Sequence, residues 1–283
     1  MDLIYLFKAF ILGIVEGLTE FLPISSTGHL IIAGSLLSFD GPEVNTFNIA
    51  IQAGAIFAVC WFYRQRIGQV LTGLFSQKKE QRLVCNLIAA FLPAAVLGVL
   101  MADLIEELLF NPISVAIALV IGGLIIFWVE NAHAKRAYQP RVATMDELTL
   151  KDAFLVGCMQ CIAMIPGTSR SGATIIGGLV LGLSRKAATE FSFFLAIPTI
   201  FGATVYSLAK MFLRVSEQQS FLWTTNMTLS FIVGFVVSFF SALIVVKWLL
   251  RYVSNNDFKS FGWYRIIFGI IILVTYYGGI VTW

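Results

Sequence analysis

Charged side chains are scarce in this 283-residue sequence, where Asp, Glu, Lys and Arg make up only 12% of the residues. A soluble domain of this size carries about a quarter. Hydrophobic residues reach 58%, and the mean hydropathy is +0.87. These values exclude an ordinary soluble globular domain and predict a polytopic membrane protein. The net charge of +3 says little, because the position of each charge matters more than the sum.

Other absences narrow the classes of function. No G-x-x-x-x-G-K-[ST] nucleotide-binding loop occurs, and no nucleic-acid partner is expected. The N-terminus lacks a basic region followed by a cleavage site, so no removable signal peptide is predicted. The four cysteines imply no disulfide framework. Cys158 and Cys161 are interpreted as small apolar helix residues, since no second Cys/His pair completes a metal site.

Two polar segments, residues 13–29 and 157–174, interrupt this apolar sequence. They align when one is shifted by 144 positions, from Gly13 to Gly157, which indicates an internal repeat. The first copy carries two acids and a histidine, and the second carries an arginine. At the aligned positions that differ, Glu16 corresponds to Gln160, Glu20 to Met164, and His29 to Ala173. Arg170 occurs only in the second copy.

Hydropathy predicts six spanning helices and two interrupted segments. A spanning helix needs about 20 mainly apolar residues. Pro23 stops the first helix pattern, and only a short apolar run follows it; Pro166-Gly167 interrupts the second segment in the same way. We predict re-entrant helical hairpins at 3–37 and 150–183, where irregular backbone is buried in protein or faces water. The six spans are predicted near 46–63, 83–102, 112–131, 187–208, 223–248 and 262–281.

The distribution of Lys and Arg predicts the orientation. With the connection 64–82 in the cytoplasm, most of the 19 Lys and Arg residues lie on the cytoplasmic side, including Arg136 and Arg265, and the acidic turn 103–111 lies outside. Both termini then lie outside. Three spans per half make the halves inverted. We therefore predict an all-α polytopic membrane protein, a single domain over 1–283 with inverted repeats at about 1–140 and 145–283.

Glu16 and Glu20 are four residues apart on one helix and share a face. Carboxylates inside a membrane segment are costly and are functional candidates. They repel each other unless a positive group lies between them, and a divalent cation or Arg170 would serve. Hard oxygen ligands suit Mg²⁺ or Ca²⁺, with substrate oxygens completing the site. The alternative is that both acids only line a water-filled vestibule.

Arg170 lies in the sequence PGTSRSGAT, residues 166–174. Small residues such as Gly167 and Gly172 let backbone N–H groups approach an anion, and hydroxyls donate hydrogen bonds to it. A guanidinium binds phosphate in a bidentate manner, and a helix start adds positive potential. The alternative is a buried arginine paired with Glu20 for structural reasons.

Ser25, Ser26, Thr27 and His29 form a second hydroxyl cluster that ends at an imidazole. Either a serine or a histidine is able to attack phosphorus, and histidine also moves protons. The alternative for a single histidine is a structural role. Carboxylates, a Ser/His set and an anion-binding loop at membrane depth suit a phosphate-bearing lipid whose tail stays in the bilayer.

The segments EGLTEFLPISSTGH, residues 16–29, and PGTSRSGAT closely resemble the motifs of the undecaprenyl-diphosphatase, or bacitracin-resistance, family. The resemblance covers the whole chain in order, spacing and hydropathy. It implies hydrolysis of undecaprenyl diphosphate to undecaprenyl phosphate and inorganic phosphate in the bacterial inner membrane. It also implies recycling of the lipid carrier for cell-wall synthesis, bacitracin tolerance, a divalent cation, a periplasmic active site and a homodimer.

Motif position assigns roles under this resemblance. Arg170 would bind the diphosphate with the hydroxyls of Ser169, Ser171 and Thr174. Glu20, with Glu16, would hold metal or transfer protons. Ser26 or His29 would attack; we favour Ser26 with His29 assisting, although spacing alone does not separate them. A transporter of the lipid phosphate is the competing class, because inverted repeats with broken helices are typical of transporters.

Overall fold

The computed structural model describes residues 3–39, 44–135, 139–218 and 225–281. These residues form helices and turns, and no strand occurs in them, so the prediction of an all-α protein is confirmed. The helices are α1 Leu3–Thr19, α2 Ser26–Leu36, α3 Val44–Phe62, α4 Arg64–Gly73, α5 Lys78–Leu109, α6 Pro112–Lys135, α7 Leu150–Cys161, α8 Arg170–Val180, α9 Arg185–Gln218, α10 Thr225–Val253 and α11 Lys259–Tyr277. Short 3₁₀ turns cover Met145–Glu147 and Ile162–Met164.

Six of these helices are long and apolar enough to cross a membrane, as predicted. The qualifying segments are Val44–Phe62, Lys78–Met101, Pro112–Ala134, Arg185–Ser207, Met227–Val253 and Lys259–Tyr277.

Two segments predicted to be connections between spans are largely helical. The connection 64–82 contains α4 and the start of α5, and the turn 103–111 is reduced because α5 continues to Leu109. Hydropathy misses these helical residues because their polar side chains lower the average without breaking the helix. Arg136 and the first residues of the predicted span 223–248 lie outside the described residues.

Each polar segment is a helix broken by a turn. The first contains α1, a turn through Pro23, and α2; the second contains α7, a turn through Pro166, and α8. Helices α2 and α8 begin 144 residues apart and also end 144 residues apart. The residue before each helix, Ser25 or Ser169, has a positive φ of 71° or 72°, which is rare for any residue but glycine. The two copies therefore share the same unusual backbone at the same position.

The helices from the two halves of the sequence pack against each other. Helix α10 packs against α1 and α3, α5 packs against α7 and α9, and α6 packs against α11. This exchange brings the two turns together: the Ser171 hydroxyl donates a hydrogen bond to the Leu22 carbonyl oxygen at 2.7 Å. The edge of the Phe21 ring meets Phe193 with ring centroids 5.3 Å apart. The fold thus places both polar turns in contact.

Two basic connections predicted to be cytoplasmic lie against each other. Arg66 donates to Glu80 at 2.6 Å and to Asp146 at 2.8 Å, and Arg82 donates to the Leu148 carbonyl at 3.0 Å. Lys79 contacts Asp146 at 2.9 Å. These bonds tie the connection 139–149 to α4 and α5.

Asp146 gives this network a pH dependence. Burial alone would raise the pKa of Asp146, but hydrogen bonds from Lys79 and Arg66 lower it below its usual value. A lowered native pKa stabilises the fold above the unfolded pKa of about 3.9, and this stabilisation is lost as the pH falls towards the native value.

Asp146→Asn is therefore expected to lower the free energy of unfolding by about 1 kcal/mol or less at pH 7, because the group is partly solvated. The deficit should shrink as the pH falls below about 4 and vanish below the native pKa. Thermal unfolding in detergent across this pH range measures the effect. Asp257→Asn, at a more exposed pair 3.8 Å from Lys259, is the control. A deficit that stays constant with pH contradicts the assignment.

Candidate active site

A cavity of about 180 Å³ lies where the two turns meet. Its walls come from both polar segments and from α3. The lining residues are Glu20, Ser25, Ser26, Thr27, Gln52, Ala163, Pro166, Gly167, Ser169 and Arg170. The cavity therefore joins the hydroxyl cluster of the first segment to the arginine of the second, although 144 residues separate the motifs.

The Glu20 carboxylate links the two segments. Its Oε2 accepts a hydrogen bond from the Ser26 hydroxyl at 2.6 Å, and its Oε1 accepts one from Nη2 of Arg170 at 3.0 Å. The Glu20 side chain is only 6% exposed, and that of Arg170 only 13%. The ion pair considered as an alternative for Arg170 is thus present, and it forms part of the cavity wall.

The protein fixes the Arg170 guanidinium on two further sides. Its Nη1 donates to the Ser192 carbonyl oxygen at 3.2 Å, and its carbon Cζ lies 5.7 Å from the centre of the Phe21 ring. A guanidinium has five N–H donors, and these contacts with Ser192 and Glu20 use two of them. Donors remain for an anion in the cavity, and the bound orientation is set in advance.

Glu16 is a buried acid whose oxygens have no hydrogen-bond partner among the described residues. It is 1% exposed and lies one helical turn from Glu20. Carboxylate oxygens are ligands that Mg²⁺ and Ca²⁺ prefer. The described residues contain no group of three or more His, Cys, Asp or Glu side chains able to hold a metal ion. Glu16 and Glu20 therefore fit a divalent cation only if substrate or water oxygens complete its coordination.

His29 does not bond to Ser26. Its Nδ1 lies 2.7 Å from the Ser25 carbonyl oxygen, and its Nε2 lies 2.7 Å from the Tyr264 hydroxyl. Since a carbonyl oxygen only accepts, Nδ1 carries a hydrogen. The ring stacks on Phe268 with centroids 3.9 Å apart. The structure thus places His29 beside the cavity-lining turn, with its contacts directed to the backbone and to α11.

Three predicted substrate-binding residues of the second segment lie behind the cavity wall. The buried Thr174 hydroxyl lies 2.6 Å from the Ser192 hydroxyl and donates to the Arg170 carbonyl at 2.9 Å. The Ser171 hydroxyl bonds to the first turn, as described above. The Ser169 hydroxyl accepts a hydrogen bond from the Gly172 N–H at 3.1 Å and thereby caps α8. These residues shape the turn that carries Arg170.

Position 167 requires glycine, both for its backbone conformation and for its close packing. Its φ is +92°, and a Cβ atom there would lie 2.5 Å from the Val115 carbonyl oxygen of α6. A side chain would therefore be both strained and blocked. Gly167 allows the turn to lie directly against α6.

Four residues that were not predicted to be site residues also belong to the site or its surroundings: Gln52, Ser192, Tyr264 and Arg265. Gln52, on α3, lines the cavity. An amide inside a predicted span was the available signal for Gln52. For Ser192 and Tyr264 no spacing rule gives a signal, because their partners are far away in the sequence.

Arg265, predicted to be one of the basic residues on the cytoplasmic side, is buried inside the protein and is not exposed in a connection. Arg265 is 1% exposed, and its Nη1 donates to the Pro23 and Thr168 carbonyls at 3.1 and 2.8 Å. Its position close to the start of a predicted span favours a charge that faces water, because basic residues usually do so there.

The chain is similar to known proteins over its whole length. Residues 9–271 match the family model described as bacitracin resistance protein BacA. An undecaprenyl-diphosphatase of Herminiimonas arsenicoxydans is 55% identical, over 100% of this chain and 99% of that protein. An undecaprenyl-diphosphatase of Ralstonia nicotianae is 52% identical with the same coverage, and undecaprenyl-diphosphatase 1 of Burkholderia lata is 52% identical over 100% of both chains.

The family match spans most of the chain, and both polar turns lie within it. Together with six helices able to cross a membrane, it identifies a multi-pass membrane protein. This chain belongs to the bacitracin resistance protein BacA family.

Proposed function

We propose that this protein hydrolyses undecaprenyl diphosphate to undecaprenyl phosphate and inorganic phosphate. The observation that carries the proposal is the Ser26–Glu20–Arg170 chain of contacts, which places a hydroxyl, a carboxylate and a guanidinium in one cavity. The full-length relatives named undecaprenyl-diphosphatase supply the substrate. The reaction would recycle the lipid carrier for cell-wall synthesis and raise bacitracin tolerance.

Ser26 is proposed to be the nucleophile. Its Oγ attacks the terminal phosphorus while its proton passes to Oε2 of Glu20, 2.6 Å away. The bond between that phosphorus and the bridging oxygen breaks, and undecaprenyl phosphate leaves. Water then hydrolyses the phosphoserine and restores the hydroxyl. Glu20 acts as general base in both steps. It releases the proton taken from Ser26 before it accepts one from the attacking water.

Charge on the transferring phosphoryl group would be stabilised by Arg170 and by two helix starts. Helices α2 and α8 begin at Ser26 and Arg170, so each presents backbone N–H groups at its first turn, although in α8 the Gly172 N–H is already bonded to the Ser169 hydroxyl. Thr27 and Ser169 line the same cavity. Phosphoryl transfer depends mainly on such positioning and charge stabilisation.

Glu16 and Glu20 are proposed to hold a divalent cation, Mg²⁺ or Ca²⁺. The support is the buried Glu16 carboxylate, which lies one turn from Glu20 and has no hydrogen-bond partner in the described part of the chain. A bound cation would neutralise charge on the diphosphate. The diphosphate oxygens would complete its coordination.

Glu16→Gln is expected to raise the cation concentration needed for half-maximal activity by about tenfold or more, because one carboxylate ligand is lost. A cation series against phosphate release measures this shift. Glu107→Gln, at an exposed acid near the end of α5, is the control. An unchanged cation dependence in Glu16→Gln contradicts the metal role.

The polar turns are proposed to be re-entrant hairpins in an inverted repeat, with halves at about 1–140 and 145–283. The constant shift of 144 residues between α2 and α8 supports this arrangement. So does the exchanged packing, in which α1 contacts α10 and its counterpart α7 contacts α5. The cavity would open to the periplasmic face with the lipid tail in the bilayer, and the protein would form a homodimer.

Transport of the lipid phosphate is the second class of function, and it is not favoured. A carrier needs Arg170 to bind its cargo, but it has no use for a hydroxyl hydrogen-bonded to a carboxylate. Reconstitution into liposomes separates the two. The proposed hydrolysis predicts one undecaprenyl phosphate formed for each phosphate released. Movement of the lipid across the bilayer without phosphate release would favour transport instead.

A further inference from the structure

Among the described residues, Arg265 is a buried cation bonded only to backbone oxygen atoms. It lies on α11, and its side chain donates five hydrogen bonds, all to carbonyl groups. No carboxylate in the described part of the chain pairs with it. Burying a charge is costly unless its donors are satisfied. An arginine in this setting indicates a specific structural demand for its planar, multiply donating group.

The five carbonyls belong to three separate segments. Nη1 reaches Pro23 and Thr168, and Nη2 reaches Gly167 at 3.1 Å. The remaining bonds go to α6: Nη2 reaches Ala118 at 3.1 Å, and Nε reaches Leu119 at 3.2 Å. Pro23 and Gly167 occupy equivalent positions in the two repeats, 144 residues apart. One guanidinium therefore holds the same carbonyl of both polar turns and joins them to α6.

Each anchored turn leads directly into a strained residue. Ser25 has φ 71° and ψ 97°, and Ser169 has φ 72° and ψ 120°. Such conformations persist only where the surrounding structure holds them in place. The turns provide the residues that must meet in the cavity: Ser26 follows one strained serine, and Arg170 follows the other.

We propose that Arg265 is a positioning residue. It sets the distance between the polar turn that leads to Ser26 and the polar turn that leads to Arg170. It is absent from the cavity wall, and it acts through the carbonyls that precede Ser25 and Ser169. The effect on catalysis rests on the proposed function. The effect on the two turns does not.

Arg265→Met and Arg265→Lys test the proposal by steady-state kinetics on undecaprenyl diphosphate in detergent. Arg265→Met is expected to lower kcat about 100-fold with little change in KM, because a small misplacement of reacting groups costs about that factor. Arg265→Lys keeps the charge, but one ammonium group does not reach carbonyls in three segments. It should therefore recover only a minor part of kcat. Full recovery by lysine would overturn positioning in favour of charge alone.

Gly122→Ala displaces the guanidinium without removing it. A Cβ atom at Gly122 would lie 2.3 Å from Nη2 of Arg265. Gly98→Ala is the matched control, because a Cβ there meets no atom within 4 Å. Gly122→Ala is expected to lower kcat, as Arg265→Met does, whereas Gly98→Ala is expected to leave kcat unchanged. Wild-type kcat in Gly122→Ala would overturn the proposal, and this variant serves if Arg265→Met does not fold.

Amide hydrogen exchange on the same variants gives a readout independent of activity. Exchange is expected to rise within 20–29 and 165–172 while the spanning helices remain protected. Unchanged exchange in both turns, or a uniform rise over the whole chain, would overturn the inference. If the wild-type protein releases no phosphate but the two turns alone loosen in Gly122→Ala, the proposed function fails and the positioning role stands.

Discussion

Arg170→Ala is expected to lower kcat/KM for undecaprenyl diphosphate by about 1,000-fold or more. Two losses act together. The diphosphate loses a preorganised guanidinium, and a single transition-state donor of this kind contributes about 100- to 1,000-fold. The buried Glu20 carboxylate also loses the partner that lies 3.0 Å from its Oε1. Phosphate release at several substrate concentrations measures the effect.

Two controls separate the charge of Arg170 from its shape. Arg170→Lys keeps a positive charge but loses the fork that spans Glu20 and the Ser192 carbonyl, so activity should remain well below wild type. Arg251→Ala removes an exposed arginine on α10 and should leave kcat/KM unchanged. Near wild-type kcat/KM in Arg170→Ala would refute the binding role.

Ser26→Ala is expected to lower kcat by at least about 1,000-fold, because removal of an attacking hydroxyl leaves only binding and charge stabilisation. His29→Ala should cost much less, because its nitrogens contact the Ser25 carbonyl and Tyr264 and not Ser26. Rapid quenching followed by mass spectrometry should find phosphate on Ser26 in the wild-type protein.

Ser254→Ala, at an exposed serine that follows α10, is the control for this series. The assignment of the nucleophile is wrong if Ser26→Ala keeps full activity while His29→Ala loses it. Phosphate trapped on His29 would lead to the same conclusion.

The helical layout was largely predictable because its signals are local. Spans depend on length and apolar composition, and the breaks depend on proline and glycine within a few residues. The 144-residue shift even anticipates that α8 repeats α2. Helix α4 was missed because its polar residues resemble a loop to any measure of average hydropathy.

The centre of the candidate site was also predictable in part. Glu20, Ser26 and Arg170 stand out because polar and charged residues are rare in membrane segments. The sequence left two possibilities for Arg170, anion binding and an ion pair with Glu20 of the other repeat. Spacing within a motif does not predict contacts across 150 positions.

Arg265 shows the limit of reasoning from sequence. Its surroundings on α11 resemble those of an ordinary cytoplasmic anchor, and its partners are backbone carbonyls, which carry no residue signature. The packing of α11 against α6 places it beside both turns. Tyr264, its neighbour in sequence, meets His29 for the same reason.

The most direct test is phosphate release from undecaprenyl diphosphate by the purified protein in detergent, with and without a chelator, beside Ser26→Ala and His29→Ala. The proposed function predicts release by the wild-type protein, loss in the chelator, and loss in Ser26→Ala. No release from well-folded wild-type protein would contradict it, and binding or transport of the lipid phosphate would then be measured.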